Sequence, residues 1–214
     1  DADLQQGIYR LLSETTKKVG SCCAAAVAED PSSGQILALV SVPSFDNNLF
    51  TKQNDDLQIS KIFADKNAPI LNRVIAGTYP PGSTFKILSS IAALQSTKVT
   101  PSTTYEDTGE IFLGPYKFTN WFFTQYGKTE GFVDVVKAMQ RSNDIFFYKL
   151  GEAVGITKLG VWARLLGVGT QLGIEIPGEA AGLMPDPIWK AKKFTTEKDK
   201  EARNLSLLRL QEKI

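Results

Sequence analysis

The spacing of apolar positions changes within the first 42 residues from a helical period to two continuous runs. A stripe at i, i+4, i+7 and i+8 predicts an amphipathic helix that ends near Gly20. Residues 23–28 and 35–42 are short apolar runs separated by a turn sequence at residues 30–34, so we expect a β-hairpin whose second strand ends at Pro43. The helical stripe consists of Leu4, Ile8, Leu11 and Leu12.

Irregular and helical segments follow the hairpin. Residues 43–72 are rich in Asn, Asp and Ser, which predicts an irregular surface segment leading to a short helix. The string Tyr79-Pro80-Pro81-Gly82 interrupts the chain, and the helical period after it predicts a helix that begins near Ser83. Residues 100–130 show no clear period and are expected to form loops with short strands. Further helices are predicted at 131–140, 143–153 and 156–166.

The composition is that of a globular chain without a strong charge. Of its 214 residues, 43% are hydrophobic and 22% charged, which is enough to bury a core. With 24 basic and 23 acidic residues the net charge is +1, so nucleic acid is not expected as a partner. The N-terminus lacks Met and reads neither as a signal peptide nor as a membrane anchor, so we expect an excised fragment.

The sequence contains no histidine. Ser-His-Asp and Cys-His systems and His-ligated zinc are thereby excluded, and acid–base chemistry is left to Lys, Asp, Glu, Tyr or Cys. Cys22 and Cys23 are too few for a structural zinc site, and we expect them to be buried thiols at the start of a strand. Neither a metal nor a cofactor is expected, and a serine paired with a lysine becomes the favoured nucleophile system.

Ser83-Thr84-Phe85-Lys86 offers such a pair at the predicted start of a helix. A spacing of three residues places the hydroxyl and the amine on one helix face. The unpaired N–H groups of a first helical turn favour a developing anion, and a partly buried lysine has its charged form disfavoured, which suits a base. The alternative is Ser83 as a helix cap with Lys86 in solvent, because a bare Ser-x-x-Lys arises by chance about once in a chain of this size.

The wider sequence around this pair is Asn72-Arg73 followed by GTYPPGSTFK at residues 77–86. This string closely resembles the active-site segment of penicillin-binding proteins, whose first motif is Ser-x-x-Lys. Residues 1–190 thereby resemble an incomplete transpeptidase domain of the class B penicillin-binding proteins, and Tyr79 to Gly82 resembles the elongation-type branch, penicillin-binding protein 2. Residues 191–214 form a divergent charged tail. Further matches lie at residues 1–6, 24–40, 43–50 and 182–189.

The second motif of that family, Ser-x-Asn, is matched by Ser142-Asn143-Asp144, in the Ser-x-Asp form that is similar to the elongation-type branch. The resemblance implies that Ser83 is the nucleophile and Lys86 its base. It further implies that Ser142 shuttles a proton between Lys86 and the leaving amine, while Asp144 positions Lys86 or a substrate amide. The alternative for Asp144 is a plain carboxylate at a helix N-terminus.

The third motif, Lys-Thr-Gly on an edge strand, is the point at which the sequence departs from the family. Lys128-Thr129-Glu130 precedes Ser142 and has Glu where Gly lets a substrate backbone approach, and residues 145–214 supply no match. The resemblance implies that one oxyanion N–H comes from Ser83 and the other from the missing strand. We therefore expect this chain alone to be catalytically weak or inactive, because losing one such donor costs about 100- to 1000-fold in rate.

The resemblance implies an α/β fold of the serine β-lactamase and transpeptidase type, an antiparallel sheet flanked by helices without its C-terminal strands. It implies a peptidoglycan D,D-transpeptidase of bacterial cell-wall synthesis and cell shape that acts on stem peptides and is acylated by β-lactams. The whole protein would then be anchored at the extracytoplasmic face of the cytoplasmic membrane with cell-wall elongation partners. A serine β-lactamase, whose class D members also carry Ser-Thr-Phe-Lys, and a non-catalytic β-lactam sensor or scaffold remain the alternatives.

Overall fold

The computed structural model describes residues 1–51, 56–96 and 99–195, which divide into two compact units. The first unit comprises residues 1–79 and 171–181, and the second the remaining described residues. None of the described helices is long and apolar enough to cross a lipid bilayer. The elements are α1 (Ala2–Val19), β1 (Ala24–Glu29), β2 (Ile36–Val42), α2 (Asp56–Ala64), α3 (Phe85–Gln95), β3 (Tyr105–Asp107), β4 (Glu110–Leu113), β5 (Tyr116–Thr119), α4 (Trp121–Tyr126), β6 (Gly131–Val133), α5 (Val135–Arg141), α6 (Asp144–Val154), α7 (Ile156–Leu165) and α8 (Pro187–Lys193).

The first unit is built on α1 and an antiparallel hairpin of β1 and β2, as the apolar pattern predicts. Asp1 caps α1 by accepting a hydrogen bond from the Leu4 N–H, and Gly20 ends the helix in the left-handed conformation, at φ 69°. The side chain of Gln5 both donates to and accepts from the main chain of Leu39, each bond 2.7 Å long. These two bonds fix α1 against β2, whose inward residues Ala38, Val40 and Val42 are buried.

The two cysteines differ from the expectation of buried thiols. Cys22 is exposed and Cys23 half-buried, and the two sulfurs are bonded to each other as a disulfide. The expectation is wrong because β1 begins only at Ala24. Both cysteines therefore lie in the connection between α1 and β1, and neither is on the buried face of a strand.

The second unit has its core between α3, α6 and α7. Phe146 and Leu150 of α6 are fully buried, and the ring of Tyr105 meets that of Phe146 edge-on at a centroid distance of 5.3 Å. The helices α3 and α6 pack side by side, and they begin at Phe85 and Asp144. The remaining buried apolar residues of this core are Ala92, Ala93, Val99, Val133, Val135, Ala138, Phe147 and Val154.

The strands of the second unit form two small antiparallel sheets, β3 with β6 and β4 with β5. The helix predicted over 131–140 begins only at Val135, because Gly131–Val133 pairs with Tyr105–Asp107 and Asp134 then caps the helix. The helix Trp121–Tyr126 lies inside the stretch expected to be loop and short strands. The helices predicted at 143–153 and 156–166 are confirmed to within about one residue, inside the usual uncertainty of helix ends.

Candidate active site

The four residues that the motifs single out, Ser83, Lys86, Ser142 and Asp144, come together in the second unit. Ser83 lies in the 3-10 turn Gly82–Thr84 that leads into α3, and Lys86 is the second residue of α3. Ser142 follows the last residue of α5, and Asp144 is the first residue of α6. The site therefore lies where two neighbouring helices begin, so their N-terminal N–H groups and dipoles favour negative charge there.

The turn before α3 exposes Ser83 while directing Lys86 inward. Gly82 adopts φ 58°, a left-handed conformation that suits glycine, and the Thr84 hydroxyl donates to the carbonyl oxygen of Pro81 at 2.7 Å. Ser83 is exposed and Lys86 half-buried. Because the two residues are three apart on one helical turn, both side chains reach the same neighbour, Ser142.

The Lys86 ammonium group is held by three oxygen atoms. It donates to the main-chain carbonyl of Ser142 at 2.7 Å, to the Ser142 hydroxyl at 3.0 Å and to a carboxylate oxygen of Asp144 at 2.6 Å. The Lys86 side chain is only 11% exposed and that of Asp144 26%, so solvent screens this ion pair incompletely. The Phe147 ring adds a cation–π contact at 5.4 Å from the nitrogen.

Ser142 links the other two side chains. Its hydroxyl donates to the Ser83 hydroxyl at 2.8 Å and accepts from Lys86 at 3.0 Å. The spacing predicts that Ser83 and Lys86 lie within reach of each other, and the structure adds Ser142 as the hydrogen-bonded link between them. Because hydroxyl groups rotate and both donate and accept, this chain of hydrogen bonds can carry a proton in either direction.

Tyr148 lies one helical turn after Asp144 on α6, with its ring centroid 5.6 Å from that of Phe118. Partial burial and, to a smaller extent, the negative charge of Asp144 raise the pKa of the Tyr148 phenol. Near neutral pH the Tyr148 phenol is therefore uncharged.

Ser142 has a backbone conformation that is uncommon for a residue with a side chain. Its φ of 49° is left-handed, and it serves as the C-cap of α5, where glycine is the usual residue. The following residue, Asn143, is fully buried and caps α6 by accepting a hydrogen bond from the Phe146 N–H at 2.9 Å. The second motif is thus a tight connection between two helices.

A buried polar cluster behind this connection escapes the sequence analysis. Asp107 and Asn120 come from the stretch expected to be loop and short strands, and both are almost completely buried. Glu130, the last residue of the Lys-Thr-Glu string, is paired with Arg141. These residues lie outside the family motifs, and the sequence marks them only as Asp and Asn residues in a segment rich in aromatic side chains.

The described residues contain no group of three or more His, Cys, Asp and Glu side chains arranged to hold a metal ion. Most of the charged tail, residues 196–214, lies outside the described residues, so the boundary after residue 190 stays a prediction. The hydrogen-bonded groups of the candidate site are two hydroxyls, one amine and one carboxylate.

Comparison with known proteins gives consistent matches. The family described as "Penicillin binding protein transpeptidase domain" matches residues 24–200. A peptidoglycan D,D-transpeptidase MrdA of Acinetobacter baumannii is 36% identical over 186 residues, which are 86% of this chain and 27% of that protein. The Escherichia coli protein of the same name is 35% identical over 196 residues, 91% of this chain and 29% of that protein. The chain thus spans less than a third of the length of these curated relatives.

Solved structures give the same result for the fold. Penicillin-binding protein 2 of Pseudomonas aeruginosa, in complex with WCK 5153, matches with a TM-score of 0.72 and 36% identity, over 85% of this chain and 41% of that one. Penicillin-binding protein 2 of Helicobacter pylori, in complex with MreC, matches with a TM-score of 0.74 and 32% identity, over 87% of this chain and 34% of that one. The expected α/β transpeptidase fold is confirmed. The chain belongs to the penicillin-binding protein transpeptidase family, and these relatives place its resemblance in the penicillin-binding protein 2 branch.

Proposed function

We propose that this chain carries the acyl-transfer site of a peptidoglycan D,D-transpeptidase, with Ser83 as nucleophile and Lys86, Ser142 and Asp144 as its supporting groups. The observation that carries the proposal is the hydrogen-bonded series from Ser83 through Ser142 to Lys86 and Asp144. It supplies a nucleophile, a proton acceptor and an orienting carboxylate without any histidine.

In the acylation step, the Ser83 hydroxyl oxygen attacks the carbonyl carbon of the penultimate D-Ala of a stem peptide. This step starts from the deprotonated form of Lys86, so the ammonium group first gives one proton to solvent. The Ser83 hydroxyl proton then passes through Ser142 to the Lys86 amine, which requires both observed hydrogen bonds to reverse their direction. The tetrahedral intermediate collapses, the peptide bond breaks, and the proton goes from Lys86 through Ser142 to the departing D-Ala amine. An ester between Ser83 and the shortened stem peptide remains.

In the second step, the amine of a neighbouring stem peptide attacks that ester. Its proton returns by way of Ser142 and Lys86 to the Ser83 oxygen, so a new peptide bond forms and the enzyme is regenerated. Asp144 keeps the Lys86 amine directed at the Ser142 hydroxyl in both steps. With a β-lactam, Ser83 would attack the ring carbonyl carbon, the C–N bond of the ring would break and its nitrogen would take the proton, giving an acyl-enzyme from which no leaving group departs.

The partners and location that we propose come from the relatives. One matched penicillin-binding protein 2 is in complex with MreC, and another matched structure is a peptidoglycan synthase complex that coordinates polymerisation and crosslinking. We propose peptidoglycan stem peptides as substrates, β-lactams as inhibitors and wall-elongation proteins as partners. The site would then work at the extracytoplasmic face of the cytoplasmic membrane, where peptidoglycan is built.

The test uses the natural polypeptide that carries these residues, with a donor peptide ending in D-Ala-D-Ala and an acceptor peptide with a free amine. We expect one D-Ala released for each cross-linked dimer, measured by mass spectrometry, and neither product from Ser83→Ala. Rapid release of hydrolysed penicillin would instead identify a β-lactamase. Stable acylation without peptide turnover would identify a sensor, and the absence of acylation a scaffold.

A further inference from the structure

We propose that Asn120 and Asp107 are positioning residues for the acyl-transfer site, acting through the main chain of residues 142–144. They belong to a buried polar cluster with Asn143 and Glu130, called here the inner cluster, and touch none of the reacting atoms. This inference rests on the proposed function, because it concerns how the Lys86 environment is held for catalysis.

The site depends on main-chain atoms as well as side chains. Lys86 donates to the carbonyl oxygen of Ser142 at 2.7 Å, a distance between those to the Asp144 carboxylate, 2.6 Å, and to the Ser142 hydroxyl, 3.0 Å. Ser142 has a φ of 49°, a conformation that is unfavourable for a residue with a Cβ and persists only when surrounding contacts hold it. The position of Lys86 therefore depends on whatever fixes this connection between α5 and α6.

Asn120 makes a contact that fixes Asp144, the residue that follows this connection. Its side-chain oxygen accepts a hydrogen bond from the Asp144 N–H at 3.3 Å, and its side-chain nitrogen donates to Asp107 at 3.0 Å. Asn120 is fully buried and stands at the N-cap of α4. The carboxylate that binds Lys86 thus belongs to a residue whose backbone is tied to a different helix.

Asn143 ties the middle of the connection to the same place. Its side chain turns inward and donates to Asp107 at 3.0 Å and to Glu130 at 3.1 Å. Glu130 is in turn paired with Arg141, the residue immediately before Ser142. Each of the residues flanking Ser142 is therefore fixed through the inner cluster.

Asp107 is the centre of the cluster. It is 2% exposed and accepts four N–H groups, those of the Gly109 and Glu130 main chains and of the Asn120 and Asn143 side chains, at 2.9–3.0 Å. The hydrogen-bonding capacity of this buried carboxyl group is thus taken up by N–H groups, as buried polar groups require. Removing the carboxylate would leave all four donors without their acceptor.

The expected effect is on the chemical step. A displacement of about 1 Å by a mutation far from the reacting atoms can cost about 100-fold in rate. Without the Asn120 side chain, the Asp144 N–H loses its acceptor. The preceding residue, Asn143, keeps its hydrogen bonds to Asp107 and Phe146, so the connection is only partly released. We therefore expect the acylation rate constant at saturating penicillin, k2, to fall about 10- to 100-fold in Asn120→Ala.

The experiment is stopped-flow acylation of the natural polypeptide by a fluorescent penicillin, which separates k2 from the dissociation constant Ks of the preceding non-covalent complex. The matched control is Thr124→Val, which removes a 3.1 Å hydrogen bond to the main chain of Asn120 and leaves the Asp144 N–H untouched. We expect the lower k2 in Asn120→Ala with Ks within about threefold, and the unaltered k2 in Thr124→Val.

A second variant, Asn120→Asp, keeps the size of the side chain in case Asn120→Ala does not fold. Its new carboxyl group faces Asp107. The charged groups bonded to the same cluster are Glu130, which is paired with Arg141, and Asp144, which is paired with Lys86. When protonated it can still donate to Asp107, whereas two ionised carboxylates repel each other. We expect its k2, divided by that of the unaltered protein at the same pH, to be closer to one at pH ~5 than at pH ~8.

A k2 of Asn120→Ala equal to that of Thr124→Val, or an Asn120→Asp ratio that does not depend on pH, would overturn the inference and leave the proposed function intact. Failure of the unaltered protein to label at Ser83 would overturn the proposed function and this inference with it. The two failures are thus separated by the labelling of the unaltered protein.

Discussion

Replacing Asp144 by Asn removes the charge next to Lys86 and keeps the shape of the side chain. Exposed ion pairs contribute about 0.2–1 kcal/mol, and breaking a buried pair costs about 3–5 kcal/mol. The Lys86–Asp144 pair lies between these cases, with side chains 11% and 26% exposed and a contact of 2.6 Å. If the pair orients Lys86 for catalysis, we take the loss of transition-state stabilisation in Asp144→Asn as about 2 kcal/mol, which corresponds to about a 30-fold lower k2.

The assay for Asp144→Asn is the acylation of the natural polypeptide by a fluorescent penicillin, with Ks measured in the same series. The control is Glu110→Gln, which removes the charge of another 2.6 Å ion pair, with Lys117, whose side chains are 28% and 52% exposed. We expect k2 to fall only in Asp144→Asn, because the control pair lies on an exposed hairpin. An unchanged or higher k2 in Asp144→Asn would refute the orienting role of this carboxylate.

Three further predictions concern stability and pH. Phe146→Ala, which empties a fully buried site, should lower the free energy of unfolding of the second unit by about 3–5 kcal/mol in urea titrations, and a loss below about 1 kcal/mol would contradict this core. The raised pKa of Tyr148 favours its neutral form in the folded state, so stability present below pH ~10 should decline above it, and Tyr148→Phe should reduce that decline in thermal unfolding between pH ~9 and ~11. The main-chain N–H groups of Leu172, foremost, and of Ile174 and Gly173 lower the pKa of Glu179, so the hydrogen-exchange protection factors of these amides should fall as pH falls below ~4.5, and Glu179→Gln should remove that pH dependence of the protection.

Sequence reasoning succeeds in this protein where the determining interactions are local. The stripe of α1, the turn of the hairpin and the Ser83–Lys86 spacing each lie within a few residues, so the chain itself dictates them. Gly131–Val133 escapes prediction because its three residues are a strand only through pairing with Tyr105–Asp107.

The residues of the site likewise differ in whether the sequence alone can identify them. The resemblance singles out Ser142 and Asp144, whose motif is continuous in the sequence. Asn120 and Asp107 bear on the site only through contacts that folding creates, between β3, the start of α4 and the connection before α6. The sequence alone does not distinguish Asp107, a buried carboxylate surrounded by N–H groups, from an Asp residue in an exposed polar turn.

The most direct test of the acyl-serine assignment is the location of the covalent label. The natural polypeptide is incubated with a fluorescent penicillin, its intact mass is measured, and the labelled peptide is sequenced by mass spectrometry beside a Ser83→Ala variant. We predict a single added penicillin on Ser83, absent from Ser83→Ala, whose thermal unfolding is otherwise unchanged. Labelling that persists in Ser83→Ala, or that maps to another residue, would contradict the assignment of Ser83 as the nucleophile.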